Sequence, residues 1–354
     1  MNKNGQKMVL KQGGKADIVA VARAAKVSAS TVSRSFNHPE LVNPATRKKI
    51  DRAVRRLGYI RNRAAQSMHG RRSGTVGLVV PTIDHAIFAE LVQSFSEQLE
   101  SEGFTILMTS HGYDLEREYA VVRKLLEHRV DGVALIGLDH SEETYLLMEQ
   151  QALPVIAIWN YDAAARVSCV GAQNFRAGQM AAEHLLALGH RKIGLIFPDM
   201  IGNDRSRERM AGAQFALQKE GVAVPQDWQR VSPYSVAQAK AVCADLLAQN
   251  KVPTALLCGN DVIAQGCIFA AQKAGVAVPD RLSVVGIGDF KGSKEMEPAL
   301  STVRIPARTI GVQAAELIVR LISGDQPETI RQDVPLQLMQ RASTARVTGR
   351  FTGR

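Results

Sequence analysis

The sequence predicts an α/β chain in two parts. A small three-helix head carrying a helix-turn-helix leads through a short connecting segment to two doubly wound, parallel-sheet subdomains. Three observations carry this reading. The 354 residues, 45% of them hydrophobic, suffice for two or three compact units and are too apolar for disorder. Charge is segregated, with 17 Lys and Arg against 3 Asp and Glu in residues 1–72 (net +14) and 27 against 31 in the remainder (net −4). Beyond residue 74, short apolar runs alternate with amphipathic stretches, the pattern of repeated βα units.

Composition also narrows the function classes. No stretch of about 18 uninterrupted apolar residues is present, so no membrane-spanning helix is predicted. The opening Met1-Asn2-Lys3-Asn4-Gly5-Gln6-Lys7 runs into more glycine and lysine and lacks the apolar core of a secretory signal, which makes the cytoplasm the expected location. Cys169, Cys243, Cys258 and Cys267 show no CxxC spacing and no paired histidines, so they read as reduced core thiols, and no metal or cofactor is expected. A basic head on a slightly acidic body points to a polyanion at one end; a solubilising basic tail is the alternative.

The elements of the head follow a basic tail, residues 1–15. From Asp17 to Lys26, Ile18, Val21, Ala22 and Ala25 fall on one helical face. Lys26-Val27 makes a break, and Ser28 is a suitable N-cap for a second helix from Ala29 to Phe36, stopped by Asn37-His38-Pro39. Asn43-Pro44 caps and opens a third helix with Ile50, Val54 and Leu57 as its buried stripe and Gly58 as its end. Such a trio, spanning residues 16–61, places its second helix in the major groove of DNA with N-terminal residues at base edges. A three-helix bundle without DNA would show the same apolar pattern.

The residues themselves make a more specific match. Ile18-Val19-Ala20-Val21-Ala22, Val27 through Arg34, Asn37, Val42-Asn43, Thr46-Arg47, Leu57-Gly58-Tyr59 and Asn62 through Gln66 resemble, without gaps, the DNA-binding domain of LacI/GalR-type repressors. The resemblance implies that Ala29, Ser30 and Arg34 read bases. Arg34 can offer a bidentate fork to guanine, Ala29 can meet a thymine methyl, and Ser30 can hydrogen-bond several bases. It gives Ser28, Thr31, Ser33 and Asn37 phosphate contacts, which fix register without reading sequence. Ser28 as a plain cap and Arg34 as a plain surface charge are the alternatives. Lys26 departs from the usual turn glycine, tolerable at some backbone cost if its φ is positive. Arg61 stands where many members have proline.

Residues 62–73 are the hinge and linker. Arg63 to His69 is about two turns of good helix formers, marginal alone in water and equally readable as a plain linker. The resemblance implies a helix that folds when two copies meet in the minor groove, with Asn62, Arg63 and Ala65 in it and Met68 as the wedge that opens a base step.

In the body, Val76–Val80, Thr105–Met108, Val133–Ile136 and Val155–Ile158 form one series of short apolar runs. Ile193–Phe197, Ala255–Cys258 and Leu282–Val285 form a second. Both suit parallel strands buried on two faces, with amphipathic stretches such as Phe88, Leu91, Val92, Phe95 and Leu99 between them. Ligands in such sheets bind beyond the carboxyl ends of the strands. Neither GxGxxG nor a P-loop occurs, and Gly286-Ile287-Gly288-Asp289 has the wrong spacing, which disfavours an NAD or ATP enzyme. His85, His111, His128, His140, His184 and His190 are scattered and expected at surfaces or helix ends.

His184 through Ile193, Arg209-Met210-Ala211-Gly212, Asn260-Asp261 and Pro298 through Val303 resemble the effector domain of the same repressors, itself similar to periplasmic sugar-binding proteins. The resemblance implies an effector-binding and dimerisation domain over 74–346. Subdomain N takes 74–172 and 304–334, subdomain C takes 173–303 and 335–346, and 347–354 form a tail. It implies an effector cleft that includes Phe88, Trp159, Arg209, Tyr234 and Asn260, with Asp261 and Asp289 near it. Phe88 and Tyr234 read equally well as ordinary core. Arg205 lies four residues before Arg209 on the same helix face, and like charges so placed favour an anion between them. A sugar acid or phosphosugar is the expected effector, unless Arg205 faces solvent or pairs with Asp204 or Glu208. The overall expectation is a non-enzymatic, homodimeric repressor of carbohydrate or sugar-acid genes on a pseudo-palindromic double-stranded DNA operator. The rivals are a solute-binding protein without regulatory role and a metabolic enzyme on the same scaffold.

Overall fold

A computed structural model of the chain describes residues 16–61, 72–84, 86–324 and 328–347. The basic tail, the hinge residues Asn62, Arg63, Ala65 and Met68, and His85 lie outside the described residues. The chain divides into two compact units, residues 1–73 and 74–354.

In the first unit capping chemistry sets the start of each α-helix and the ends of the first and third. Helix α1 (Ile18–Ala25) starts where the Asp17 carboxylate accepts the Ala20 N–H at 2.7 Å. It ends at Lys26, which is left-handed with φ 56°, so lysine does occupy the glycine-type turn. Helix α2 (Ala29–Asn37) is capped by Ser28, whose Oγ accepts the Thr31 N–H at 3.1 Å. Helix α3 (Pro44–Leu57) opens with Asn43 Oδ1 accepting from Ala45 N–H and closes on Gly58 at φ 60°. Val21, Ala22, Ala25, Val32, Ile50 and Ala53 form the core. Val54 and Leu57, expected to be buried, are half-buried at its edge, and Ala53 takes the inner position. So small a core leaves the unit dependent on its caps, each worth about 1 kcal/mol.

The second unit holds two six-stranded sheets. In the first lobe the strands are β1 (Thr75–Val80), β2 (Thr105–Ser110), β3 (Gly132–Ile136), β4 (Val155–Asn160), β5 (Ser168–Ala172) and, far along the chain, β11 (Arg331–Asp333). Their order is β11-β5-β4-β3-β1-β2, parallel throughout. Helices α4 (Ala89–Ser101) and α11 (Ala307–Ser323) cover one face, while α5 (Leu115–Glu127) and α6 (Glu142–Gln150) cover the other. Strand β2 corrects an expectation: it is an edge strand and largely exposed, because only β1 pairs with it.

The second lobe uses β6 (Ile193–Phe197), β7 (Gln229–Val231), β8 (Ala255–Cys258), β9 (Ser283–Gly288), β10 (Ser301–Arg304) and β12 (Gln337–Met339), ordered β12-β10-β9-β8-β6-β7. All pair in parallel except β12, which runs antiparallel to β10. Helices α7 (Asn174–Ala187) and α8 (Asp204–Lys219) lie on one face, α9 (Val236–Leu247) and α10 (Asp261–Lys273) on the other. Alternation decides which residue goes where: Ala255 and Leu257 of β8 face the first pair, Leu256 and Cys258 the second. Helices α7 and α8 touch through backbone. A Cβ on Gly178 would lie 1.8 Å from the Arg209 carbonyl oxygen, and one on Gly212 would lie 1.9 Å from that of Phe175. The chain crosses between lobes three times, at β5–α7, at β10–α11 and at β11–β12.

The histidines correct a second expectation. His111, His184 and His190 are buried, and the His140 side chain is fully so. His184 does sit in the last turn of α7 and the exposed His128 caps α5, but His190 lies inside the second lobe. There His190 Nδ1 meets Thr254 Oγ1 at 2.9 Å and Nε2 meets Ser283 Oγ at 3.0 Å, and burial pulls its pKa down to about 4.

Candidate nucleic-acid interface and interlobe cleft

On α2 the four-residue spacing of Ser30 and Arg34 puts both on one exposed face, and Ala29 borders it, half-buried. The Arg34 side chain makes no ion pair or hydrogen bond among the described residues, so its guanidinium is available to a partner. Ser28 Oγ lies 2.8 Å from both Ser30 Oγ and Thr31 Oγ1, a hydroxyl cluster at the helix N-terminus. Anionic groups are favoured there by the unpaired N–H groups of the first turn. Asn37 is partly engaged already. Its Nδ2 donates to Ser33 Oγ at 3.3 Å and its Oδ1 accepts from Arg61, whose guanidinium also sits 5.7 Å over the Phe36 ring.

In the second unit the carboxyl ends of both sheets face one another across a cleft. Arg209 is buried there. Its Nε donates to Asn174 Oδ1 at 2.8 Å and its Nη1 to the Gly259 carbonyl at 3.0 Å. Arg209 has no carboxylate within ion-pairing distance among the described residues, and burial pulls its guanidinium below the ordinary value. The short Arg209–Gly212 motif explains the placement: glycine at 212 lets α8 approach α7 closely enough for Arg209 to reach Asn174.

That contact fixes a relay of amides. With Asn174 Oδ1 committed to arginine, its Nδ2 must donate onward, to Asn160 Oδ1 at 3.2 Å, which leaves Asn160 Nδ2 pointing free. Asn260 Oδ1 caps α10 through the Ile263 N–H at 3.0 Å, so Nδ2 is its free end. Trp159 Nε1 is likewise unpaired and buried. Three buried donors and a guanidinium thus lie near the ends of strands β4 and β8, a set suited to a ligand rich in oxygen acceptors. Aromatic rings complete the walls. Phe88 meets Trp159 edge-on at 5.1 Å, and Tyr113 stacks on Tyr234 at 6.2 Å. Trp159 itself is held at φ 82°, a conformation that bulky residues adopt only under constraint.

Other expected cleft residues are placed differently. Arg205 corrects the argument from like charges: its Nη1 pairs with Asp204 Oδ1 at 2.7 Å with both side chains buried, so the two arginines do not confront each other unneutralised. Burial alone would push the Asp204 carboxyl up. Arg205 and the backbone N–H groups of Leu138, Arg205 and Asp139 outweigh that and hold it below the usual carboxylate range. Asp261 is committed within its lobe, accepting from Ser293 Oγ at 2.6 Å, Phe290 N–H at 3.0 Å and Thr302 Oγ1 at 2.5 Å. Asp289, at φ 57°, is clamped by Arg304 and Arg341, each at 2.6 Å. It lines a cavity of about 970 Å³ beside the β10–α11 crossover and stands apart from the Arg209 group.

Sequence reasoning missed Asn160, Asn174, Tyr113 and the structural weight of Asp204. Asn160 carried a usable signal, since it closes a parallel strand. Glu208, half-buried beside Asp204, is raised by burial to about 7. Among the described residues no cluster suits a metal ion, and no helix is long and apolar enough to cross a membrane.

Comparison with known proteins agrees with this geometry. Residues 17–62 match the family model "Bacterial regulatory proteins, lacI family", and residues 182–344 match "Periplasmic binding protein-like domain". The HTH-type transcriptional regulator GntR of Pseudomonas aeruginosa is 33% identical over 333 residues, covering 94% of this chain and 96% of that one. The structure of transcription regulator GntR from Chromobacterium violaceum superposes with TM-score 0.72 at 32% identity, over 76% of this chain and 99% of that one. A transcriptional regulator CelR–cellobiose complex gives 0.68 at 26% identity, over 93% and 99%. These relatives are regulators and not enzymes, which sets aside the metabolic-enzyme reading. With a capped helix-turn-helix at one end and a two-lobed cleft at the other, the chain belongs to the lacI family of bacterial regulatory proteins and is a DNA-binding transcriptional regulator.

Proposed function

We propose that the protein is a cytoplasmic repressor of carbohydrate or sugar-acid genes whose operator affinity is set by a small acidic effector held between the two lobes. In this reading Ala29, Ser30 and Arg34 touch base edges, and Ser28, Thr31, Ser33 and Asn37 touch phosphates. Support comes from the exposed Ser30–Arg34 face and from the surplus positive charge of residues 1–72. Asn37 would have to share its amide between phosphate and Arg61. The hinge positions Asn62, Arg63, Ala65 and Met68 lie outside the described residues and remain part of the proposal.

The effector site comprises Phe88, Trp159, Arg209, Tyr234 and Asn260, with Asn160 added. Arg205 and Asp261 act one layer back, holding the walls, while Asp289 belongs to the neighbouring cavity beside the β10–α11 crossover. The observation that carries the reading is the set of unpaired donors around an arginine without a carboxylate partner. A buried guanidinium in that state favours an anion, and the flanking amides and indole favour the oxygens of a sugar-like molecule. The relative CelR is described in complex with cellobiose, which places a sugar on this fold in that protein.

Two copies pair through their second units on a pseudo-palindromic operator. Edge strand β2 supports this, with exposed Leu107 and Met108 and the nearby exposed Ile83. Calorimetry against a neutral hexose, an aldonic acid and a hexose phosphate tests the effector, with an operator titration by fluorescence anisotropy before and after addition. Tight binding of an acidic sugar that shifts operator affinity by about 5–150-fold is expected. Binding of the neutral sugar alone would overturn the acidic assignment.

A further inference from the structure

Contacts across the mouth of the cleft join the two lobes directly. Asp204, from the second lobe, uses every acceptor it has. Its Oδ1 takes Arg205 N–H at 2.8 Å and Nη1 at 2.7 Å, while its Oδ2 takes the first-lobe backbone N–H groups of Leu138 at 2.7 Å and Asp139 at 3.3 Å. Arg205 Nη1 also reaches the Ile136 carbonyl at 3.4 Å. Gly137, at φ 97°, leaves the space this requires, since a Cβ there would lie 2.4 Å from Arg205 Nη1 and 2.9 Å from Asp204 Oδ2. Nearby, Arg207 pairs with Asp139 at 2.7 Å, and a Cβ on Gly202 would lie 2.4 Å from the Tyr113 carbonyl oxygen.

The receiving loop is pinned from behind. His140 Nε2 meets the Gly137 carbonyl at 3.1 Å and its Nδ1 meets both Glu118 oxygens at 3.0 Å, all buried. Tyr145 donates to the Leu138 carbonyl at 3.0 Å, and its ring meets His140 edge-on. With the carbonyls of 137 and 138 held on the first-lobe side, the N–H groups of 138 and 139 point across the cleft.

We infer that Asp204 is a latch that ties the two lobes together across the cleft, and that the buried Glu118–His140 pair positions the Gly137–Asp139 backbone that receives it. The inference rests on contacts between the lobes themselves, so it stands or falls separately from the identity of any effector. A latch of this kind sets how much of the population is open to entry and so scales apparent effector affinity.

Trp159 reports on it. The chain has two tryptophans, and Trp228 is buried elsewhere with its Nε1 on the Lys251 carbonyl, a constant background. Acrylamide quenching is measured on the ligand-free, full-length protein and on Asp204→Asn, Gly137→Ala and His140→Gln, with circular dichroism as the folding control. Asp204→Asn must turn an amide N–H₂ toward one of its four donors. It should raise the quenching constant at least twofold, and His140→Gln should raise it by a smaller amount. Gly137→Ala wedges the same contact from the other side without removing a charge, and decides the matter if Asp204→Asn does not fold. Unchanged quenching in folded variants overturns the latch, as does a parent protein that already quenches like exposed indole. A His140→Gln protein that melts earlier but quenches like the parent removes the positioning role.

Discussion

Gly178→Ala isolates the packing that presents Arg209. In an ordinary helix, alanine for glycine stabilises by about 1 kcal/mol. Here the new methyl would sit 1.8 Å from the Arg209 carbonyl oxygen, 2.6 Å from its carbonyl carbon and 2.8 Å from its Cα, all backbone atoms of the facing helix. Ordinary contact begins near 3.4 Å, so α7 and α8 must separate by roughly 1.5 Å or the helices must bend. Overpacking of that kind costs about 1–3 kcal/mol, which offsets or exceeds the propensity gain. The same displacement takes Arg209 Nε from 2.8 Å to beyond hydrogen-bond reach of Asn174 and releases the amide relay. Urea unfolding should show a net loss of up to about 2 kcal/mol, and effector affinity should fall while operator affinity in effector-free protein holds. Gly275→Ala is the control, with nothing within 4 Å of its Cβ and only a φ of 67° to oppose it. A Gly178→Ala protein more stable than its parent would show that the helix contact is not as close as described, and would remove the explanation for Arg209.

Other perturbations follow from single contacts. Ser28→Ala removes the cap of α2 and should destabilise the first unit by about 1 kcal/mol, read as faster amide exchange in α2. Arg34→Ala should weaken operator binding and relax its base preference without touching effector affinity, whereas Arg209→Ala should weaken effector binding and leave operator binding in place. Loss of both functions in either folded variant contradicts the division of labour. His190 titrates at about 4 when folded and near 6.5 when unfolded, so the unfolded chain binds the extra proton between those values. Its contribution is therefore complete above pH 6.5 and lost as pH falls toward 4, at most about 3 kcal/mol in all. Urea midpoints at pH 7 and pH 5 measure this, and His190→Asn should flatten the slope.

Local chemistry was legible in the sequence wherever a few neighbouring residues decide it. Ser28, Asn43-Pro44 and Gly58 bound their helices because capping is satisfied within four residues, and Lys26 takes its left-handed turn for the same reason. The short apolar runs gave the inner strands, since burial on two faces leaves no polar alternative. Edge strand β2 misled because an apolar run does not say how many neighbours it has. The short strands β10, β11 and β12 went unread because their pairing is set by tertiary crossings. The Arg209 motif was readable, but its partners were not: Asn174 and Asn160 acquire their roles only when two sheets meet. Arg205 shows the limit most plainly. Helical spacing gives its face but not that its own neighbour, Asp204, neutralises it in a buried site. His140, His184 and His190 escaped for the same reason, each satisfied by hydroxyls or a carboxylate tens of residues away.

The three passages of the chain between lobes bear on how the protein is made. Sheet order places β11 at the rim of the first lobe, and α11 covers one of its faces, yet both are translated after nearly all of the second lobe. A ribosome-bound nascent chain halted near residue 300 would therefore hold a first lobe with one side bare, including Leu91, Phe95 and Leu99 that α11 later shields. The earlier half waits for the later one, and chaperone contact during synthesis should concentrate on that uncovered side until α11 emerges.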